Sequence, residues 1–257
     1  MLRAVVMVGL AGVLAAGQAS PPREALVRVA AASDLKFALD DIAARLARSQ
    51  PALAIRPTYG SSGVVHAQLR QRAPYDVFLS ADIEYPRDLV SRGIGSERDL
   101  FTYALGRLVA WVPASSPLAI ERDGLRALTG ARRLAIANPR HAPYGRAAEA
   151  ALRHEGVWDT MKGKLALGEN VAQAAQFVQS GAADAGIIAK SVAAAPAMQR
   201  VGRSWDVPET FHPPMIQGGL ILPWASSRDA AVRFRDYLLS AEGRQVLASY
   251  GFGPAGQ

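Results

Sequence analysis

Four short polar turns stand where apolar runs give way to helical patterns, and they carry the residues best suited to chemistry. The first is Ser33-Asp34, which follows the strand-like run 26–31 and precedes apolar residues at helical spacing. A helix start presents backbone N–H groups that have no partner inside the helix, and the helix dipole makes that end positive. Such a start can bind an anion, although a serine there can equally be a plain helix cap.

The second turn, Tyr59–Gly63, places two serines between two glycines ahead of an apolar helical pattern. Glycines let the backbone approach a ligand closely, although a simple serine-rich turn has the same composition. Gly63 directly follows Ser62, so the turn lacks the G-x-S-x-G spacing of a hydrolase nucleophile elbow. No Gly-Lys-Ser/Thr follows either, which excludes a P-loop.

The third and fourth turns have the same character. Pro143 suits the first position of a helix, where Tyr144 would then present a free backbone N–H. Asn170 is a good cap for a helix that begins at Val171 and has one apolar face. Ordinary helices also begin in both of these ways, so the case for a site depends on the recurrence of the pattern.

The order of the elements predicts two α/β lobes. Apolar runs alternate with helical patterns over residues 26–93 and again over about 109–222, which indicates mostly parallel sheets covered by helices. The runs Leu108–Pro113 and Gly218–Pro223 both end in proline, and we interpret them as the two connections between the lobes. We expect a first lobe of residues 25–108 plus 223–257 and a second lobe of residues 109–222. Ligands of such folds bind at the carboxyl ends of strands, here in the cleft between lobes.

The N-terminus predicts an exported protein. The chain has 257 residues, of which 50% are hydrophobic. Arg3, the apolar run 4–16 and the small residues 17–19 are typical of a secretory signal peptide, which we expect at residues 1–19. The apolar run is too short for a transmembrane anchor, which needs about 20 residues. We therefore expect a protein that is released after export.

The rest of the composition excludes several classes. Cysteine is absent, so the chain forms no disulfide and carries no lipid on an N-terminal cysteine. Four scattered histidines argue against a transition-metal site. The formal net charge is +7, but the arginines are dispersed, so we expect no nucleic-acid partner. We find no nucleophile–base set and no cofactor fingerprint, and we expect a non-enzymatic monomer without a cofactor.

Helix starts contributed by both lobes would suit a small, compact dianion. Two of the four turns belong to each predicted lobe, so facing lobes would bring them together at the cleft. Dipoles and neutral hydrogen-bond donors stabilise charge at a lower desolvation cost than a buried pair of arginines.

Five motifs resemble the periplasmic molybdate-binding proteins of ABC transporters, in the same order and over nearly the whole chain after the signal. They are Ala30-Ala31-Ala32-Ser33, Gly60-Ser61-Ser62-Gly63, Tyr75–Asp82, His141–Gly145 and Tyr250-Gly251-Phe252. The resemblance implies a two-lobed periplasmic binding protein fold of type II, in which the lobes close over molybdate or tungstate. It also implies two partners, a membrane permease and its ATPase.

The resemblance also implies which residues contact the anion. Ser33 and Ser62 match hydroxyl and amide donors of the first lobe, and Tyr144 and Val171 match backbone donors of the second. These four residues would contact the oxygens of molybdate rather than its metal atom. Ala189 stands where some members carry a tyrosine that contacts the ligand, so either one donor is lost or the Tyr144 hydroxyl replaces it.

Asp34 departs from an anion site because a carboxylate repels a dianion. We expect its side chain to point away and cap its helix, and we expect Asp76 and Asp82 to be structural. The alternative ligand is phosphate or sulfate, and in a phosphate site Asp34 could accept the proton that phosphate retains near neutral pH.

Overall fold

The chain forms two five-stranded sheets with helices packed on them, in a computed structural model that describes residues 25–255. Over this range the strands are β1 (Ala25–Ala32), β2 (Leu53–Gly60), β3 (Val77–Ser80), β4 (Leu100–Gly106), β5 (Leu108–Pro113), β6 (Leu134–Ala137), β7 (Leu165–Gly168), β8 (Ala185–Ala189), β9 (Gly202–Asp206) and β10 (Met215–Ile221). The α-helices of the same range are α1 (Lys36–Ser49), α2 (Ser62–Arg70), α3 (Glu84–Ser91), α4 (Ile120–Asp123), α5 (Pro143–His154), α6 (Trp158–Met161), α7 (Val171–Gln179), α8 (Lys190–Ala193), α9 (Pro196–Gln199), α10 (Arg228–Leu239) and α11 (Ala241–Ser249). The predicted signal peptide, residues 1–19, lies outside the described residues.

Both sheets are mixed. The first has the strand order β2-β1-β3-β10-β4, and the second has the order β7-β6-β8-β5-β9. In the first sheet β10 runs antiparallel to β3 and β4, and in the second β5 runs antiparallel to β8 and β9. The prediction of two α/β lobes is confirmed, but half of the pairings are antiparallel, so the sheets are not mostly parallel. The antiparallel strands are those that carry the chain between sheets, and no crossover helix constrains their direction.

The two crossings between the sheets lie side by side. The chain leaves the first sheet between β4 and β5, at Arg107, and returns between β9 and β10. Because β4 pairs with β10 and β5 pairs with β9, both crossings pass the same edge of each sheet. Sheet membership places β10 in the first lobe and Leu108 in the second, which corrects the predicted boundaries at residues 108 and 222. Pro223 marks the end of a strand, whereas the true return segment, 207–214, contains no apolar run that would reveal it.

Each sheet is buried on both faces. In the first lobe, Leu39 of α1 and Phe234 of α10 are fully buried on one face, and Phe78 of β3 is buried against the other. In the second lobe, Trp111 of β5 is only 1% exposed. Each such side chain contributes about 1.5–3 kcal/mol through burial. Two rigid sheets therefore hold the carboxyl ends of β1, β2, β6 and β7, from which the four polar turns project.

Candidate functional site

The four polar turns line one small cavity between the lobes. The lining residues are Ala32, Ser33, Asp34, Gly60, Ser61, Ser62, Ala81, Ala142, Pro143, Tyr144, Asn170 and Val171. All four predicted site residues, Ser33, Ser62, Tyr144 and Val171, belong to this lining. The convergence that the sequence predicts is therefore present in the fold.

The two serine hydroxyls are arranged as donors. Ser62 Oγ accepts a hydrogen bond from the backbone N–H of Ala81 at 3.0 Å. Ser33 Oγ lies 3.5 Å from the backbone nitrogen of Ala172, which belongs to the opposite lobe. A hydroxyl that already accepts a bond still has its own proton to donate. Neither serine caps its helix through its side chain, so the simple capping alternative does not apply to them.

Backbone N–H groups from the second lobe complete the donor set. Pro143 occupies the first turn of α5, and Tyr144 follows it. Val171 is the first residue of α7, and Asn170 caps this helix by accepting from the Gln173 N–H at 3.0 Å, as the sequence predicts. N–H groups in a first helical turn have no partner inside the helix. Both helix ends therefore direct positive dipole ends and free donors at the cavity.

Asp34 does not cap its helix, and that expectation was wrong. Its side chain is 1% exposed and lines the cavity, where Oδ2 accepts a hydrogen bond from Gln217 Nε2 at 2.5 Å. Oδ1 has no hydrogen-bond partner among residues 25–255. Burial raises the pKa of Asp34 to about 6, and hydrogen bonds from Gln217 and Tyr144 oppose this rise.

Gln217 holds Asp34 and Tyr144 in one buried network. The Tyr103 hydroxyl lies 2.7 Å from Gln217 Oε1, so the amide NH₂ group of Gln217 faces the other way. There it donates to Asp34 and, at 3.2 Å, to the Tyr144 hydroxyl. The Tyr144 hydroxyl thus accepts a hydrogen bond from Gln217 and still has its own proton to donate. Sequence reasoning missed Gln217, whose only signal is one polar residue in the apolar run 215–221.

Contacts at the edge of the cavity join the lobes. We call Ser61, Gly63, Asp82, His141 and Arg146 the rim cluster. The His141 carbonyl accepts from the Gly63 N–H at 3.0 Å and from Ser61 Oγ at 2.7 Å. Arg146 Nη2 lies 2.6 Å from Asp82 Oδ2. Since residues 61–82 belong to the first lobe and residues 141–146 to the second, the cluster holds the lobes against each other around the cavity.

The lining has the chemistry of an anion site rather than a metal site. No group of three or more His, Asp or Glu side chains that could hold a metal ion occurs within residues 25–255. Over the same range, no helix is long and apolar enough to cross a membrane. Two lobes joined by paired crossings, with a donor-lined cavity between them, define a two-lobed solute-binding protein.

Comparison with known proteins agrees with this class. The model of the family described as bacterial extracellular solute-binding protein matches residues 27–253. The chain is 35% identical to the molybdate-binding protein ModA of Azotobacter vinelandii over 253 residues, 98% of this chain and 97% of that one. It is 34% identical to ModA of Rhodobacter capsulatus over 194 residues, 76% of this chain and 75% of that one. The solved periplasmic molybdate-binding protein of A. vinelandii superposes with a TM-score of 0.82 at 31% identity, covering 88% of this chain and 98% of that one.

The chain therefore belongs to the bacterial extracellular solute-binding protein family. The resemblance to periplasmic molybdate-binding proteins is confirmed, and so is the two-lobed fold that it implies. Membership in a family of binding proteins also confirms the expectation that the chain is not an enzyme.

Proposed function

We propose that this protein captures molybdate, and also tungstate, in the cavity between its lobes and delivers it to an ABC importer. The observation that carries the proposal is the convergence of Ser33, Ser62, Tyr144 and Val171 on one cavity. The relatives named for molybdate binding support the choice of anion. The oxyanion is cargo rather than a cofactor, and its oxygens, not its metal atom, would meet the protein.

Capture and release would depend on the movement of the lobes. The paired crossings between β4 and β5 and between β9 and β10 form a natural hinge. An open form would take the anion on one lobe, and closure would then add the donors of the other lobe and the contacts of the rim cluster. A membrane permease paired with an ATPase would recognise the closed form. We propose that the protein acts as a monomer in the periplasm after the signal at residues 1–19 is removed.

Size would be the basis of selectivity against sulfate, which has the same charge and shape as molybdate but shorter bonds. Donors fixed on two lobes cannot all reach a smaller ion, and each buried hydrogen bond left unmade costs about 1–3 kcal/mol. Calorimetric titration of the secreted protein with molybdate, tungstate, sulfate and phosphate tests this. We expect molybdate and tungstate to bind much more tightly than sulfate, and equal or stronger sulfate binding would refute the proposal.

The second candidate is a phosphate-binding protein, and the observation that favours it is the unpartnered Oδ1 of Asp34. An ionised Asp34 could accept the proton that phosphate retains near neutral pH. Phosphate binding that exceeds molybdate binding, and that Asp34→Asn abolishes, would establish this candidate.

A further inference from the structure

Asp34 is held so that its two carboxyl oxygens have different surroundings. Oδ2 receives the Gln217 amide, whose orientation is fixed by Tyr103, whereas Oδ1 is buried without a partner in residues 25–255. The backbone at Asp34 is also fixed, because Ser191 Oγ of the second lobe donates to its carbonyl at 2.8 Å. Asp34 is one of the residues that line the cavity, and of its two carboxyl oxygens Oδ1 is the one without a partner and so the one left for a bound anion.

Within the described residues, no cation faces this carboxyl from the elements packed around it. The titratable groups closest to it are the Tyr103 and Tyr144 hydroxyls, which burial keeps protonated because it raises the pKa of both. Helix α7, which packs against the 33–35 turn, consists of uncharged residues throughout. An ionised Asp34 beside a dianion would therefore concentrate three negative charges in a buried space.

Four basic residues of the neighbouring elements are paired with other carboxylates. The pairs are Lys36 of α1 with Asp40 at 2.9 Å, Lys190 of α8 with Asp206 at 2.6 Å, Arg107 of the β4–β5 crossing with Glu209 at 3.0 Å, and Arg146 of α5 with Asp82 at 2.6 Å. These pairs leave a proton as the means by which the Asp34 carboxyl can be neutralised.

We propose that Asp34 binds the oxyanion as a neutral carboxylic acid, in which Oδ1 carries the proton and donates it in a hydrogen bond to a ligand oxygen. The proton comes from solvent, and no covalent bond of the anion forms or breaks. Each dianion therefore enters together with one proton, and the cavity then holds two negative charges instead of three. The inference rests on the proposed function and names Asp34 as a further residue that determines which anions bind.

The Asp34 carboxyl ionises closer to neutral pH than an ordinary aspartic acid does. Burial raises its pKa to about 6, so a modest interaction with a bound anion is enough to keep it protonated. Phosphate would behave differently at slightly alkaline pH, because the ion brings its own proton and an ionised Asp34 can accept it.

Calorimetric titration with molybdate in buffers of different ionisation enthalpy measures the proton uptake directly. We expect close to no uptake near pH 5 and about one proton per anion near pH 8, and affinity should fall about tenfold per pH unit above about pH 6. In Asp34→Asn the amide donates without titrating, so the uptake and the pH dependence should both disappear. Asp159→Asn, an exposed change on α6 of the second lobe, should keep the wild-type profile.

The wild-type measurement alone decides the matter if a variant fails to fold. Tight molybdate binding with no proton uptake and a flat pH profile would overturn the role of Asp34 and leave the proposed function intact. Failure of the wild type to bind molybdate or tungstate at any pH would overturn the proposed function and this inference together. An unchanged pH profile in Asp34→Asn would assign the proton to a different group and would likewise refute the inference.

Discussion

Gly63→Ala should weaken anion binding by more than it destabilises the unliganded protein. Gly63 lies in the first turn of α2, where an alanine is a good helix former. A β-carbon at this position would stand 2.6 Å from the carbonyl oxygen of His141 and 2.8 Å from the hydroxyl of Tyr85. Since His141 belongs to the second lobe, the clash with its backbone carbonyl arises only when the lobes are together. The Tyr85 hydroxyl is the end of a side chain in the same lobe as Gly63, so it must shift in both forms at a smaller cost.

The size of the effect follows from the contacts that the added methyl group displaces. The carbonyl must retreat by about 0.8 Å to reach an ordinary contact of 3.4 Å. That movement breaks or stretches two hydrogen bonds to His141, from the Gly63 N–H at 3.0 Å and from Ser61 Oγ at 2.7 Å. At about 1 kcal/mol for each bond, the closed form loses about 1–2 kcal/mol, so molybdate should bind about 5- to 30-fold more weakly.

Two measurements separate closure from stability. Calorimetric titration gives the affinity for molybdate, and thermal unfolding without ligand gives the stability. Gly163→Ala is the matched control, because a β-carbon there meets no atom within 4 Å. Unchanged affinity in Gly63→Ala would show that this approach of the lobes does not accompany binding. A fall in unliganded stability as large as the loss in affinity would show that the approach exists without ligand, and either result would refute the reasoning.

Three further changes test separate parts of the structure. Ser62→Ala should cost about 1–3 kcal/mol of binding free energy, measured by titration, because an oxyanion loses a buried donor; unchanged affinity would remove Ser62 from the site. Arg146→Gln should speed molybdate release by at most about fivefold in stopped-flow experiments, because the ion pair between Arg146 and Asp82 is partly exposed and contributes little. A much larger change would contradict the weak contribution expected of this pair to the closed form. Asp76→Asn should lower the free energy of unfolding in urea by about 2–4 kcal/mol near neutral pH, because a buried carboxylate loses its charge-assisted bonds. Burial raises the pKa of Asp76, but N–H donors from Ser226 and Arg28 outweigh burial, so the pKa is lowered overall. The stability that the carboxylate contributes is therefore lost as the pH falls below about 4, and the difference in unfolding free energy between Asp76→Asn and the wild type should shrink there.

Local signals were enough to place most of the elements that build the cavity. Helix α7 begins at the predicted residue because Asn170 caps its start, and Gly181, with a φ of +77°, follows its end. Strands with little apolar character were missed: β9, with the sequence Gly-Arg-Ser-Trp-Asp, lies at a sheet edge and keeps no residue fully buried. Its pairing with β5 depends on a tertiary contact that local composition does not encode.

The site was predictable where it depended on helix starts and was missed where it depended on packing between distant residues. Ser33, Ser62, Tyr144 and Val171 could be grouped because each follows a strand and opens a helix. Gln217 lies 183 residues from Asp34 in the chain, and the strand that carries it has an irregular register between Gln217 and Gly218. Such an irregularity changes the direction in which side chains point, and the spacing of residues in the sequence does not predict which neighbour they will contact.

Gln217 also connects the state of the Asp34 carboxyl to the movement of the lobes. It lies on β10, which pairs with β4 directly beside the crossings that form the hinge. Its amide group contacts Asp34 of the first lobe and the Tyr144 hydroxyl of the second, so the hydrogen bonds of one side chain bridge both lobes. If the carboxyl is neutral in the bound state, its hydrogen bond with the Gln217 amide weakens. The amide then donates more strongly to the Tyr144 hydroxyl of the second lobe, which favours the closed form.

The double variant Asp34→Asn with Gln217→Leu should therefore bind molybdate more strongly than the sum of the single effects predicts. Strict additivity in such a cycle would mean that the carboxyl and the hinge act independently.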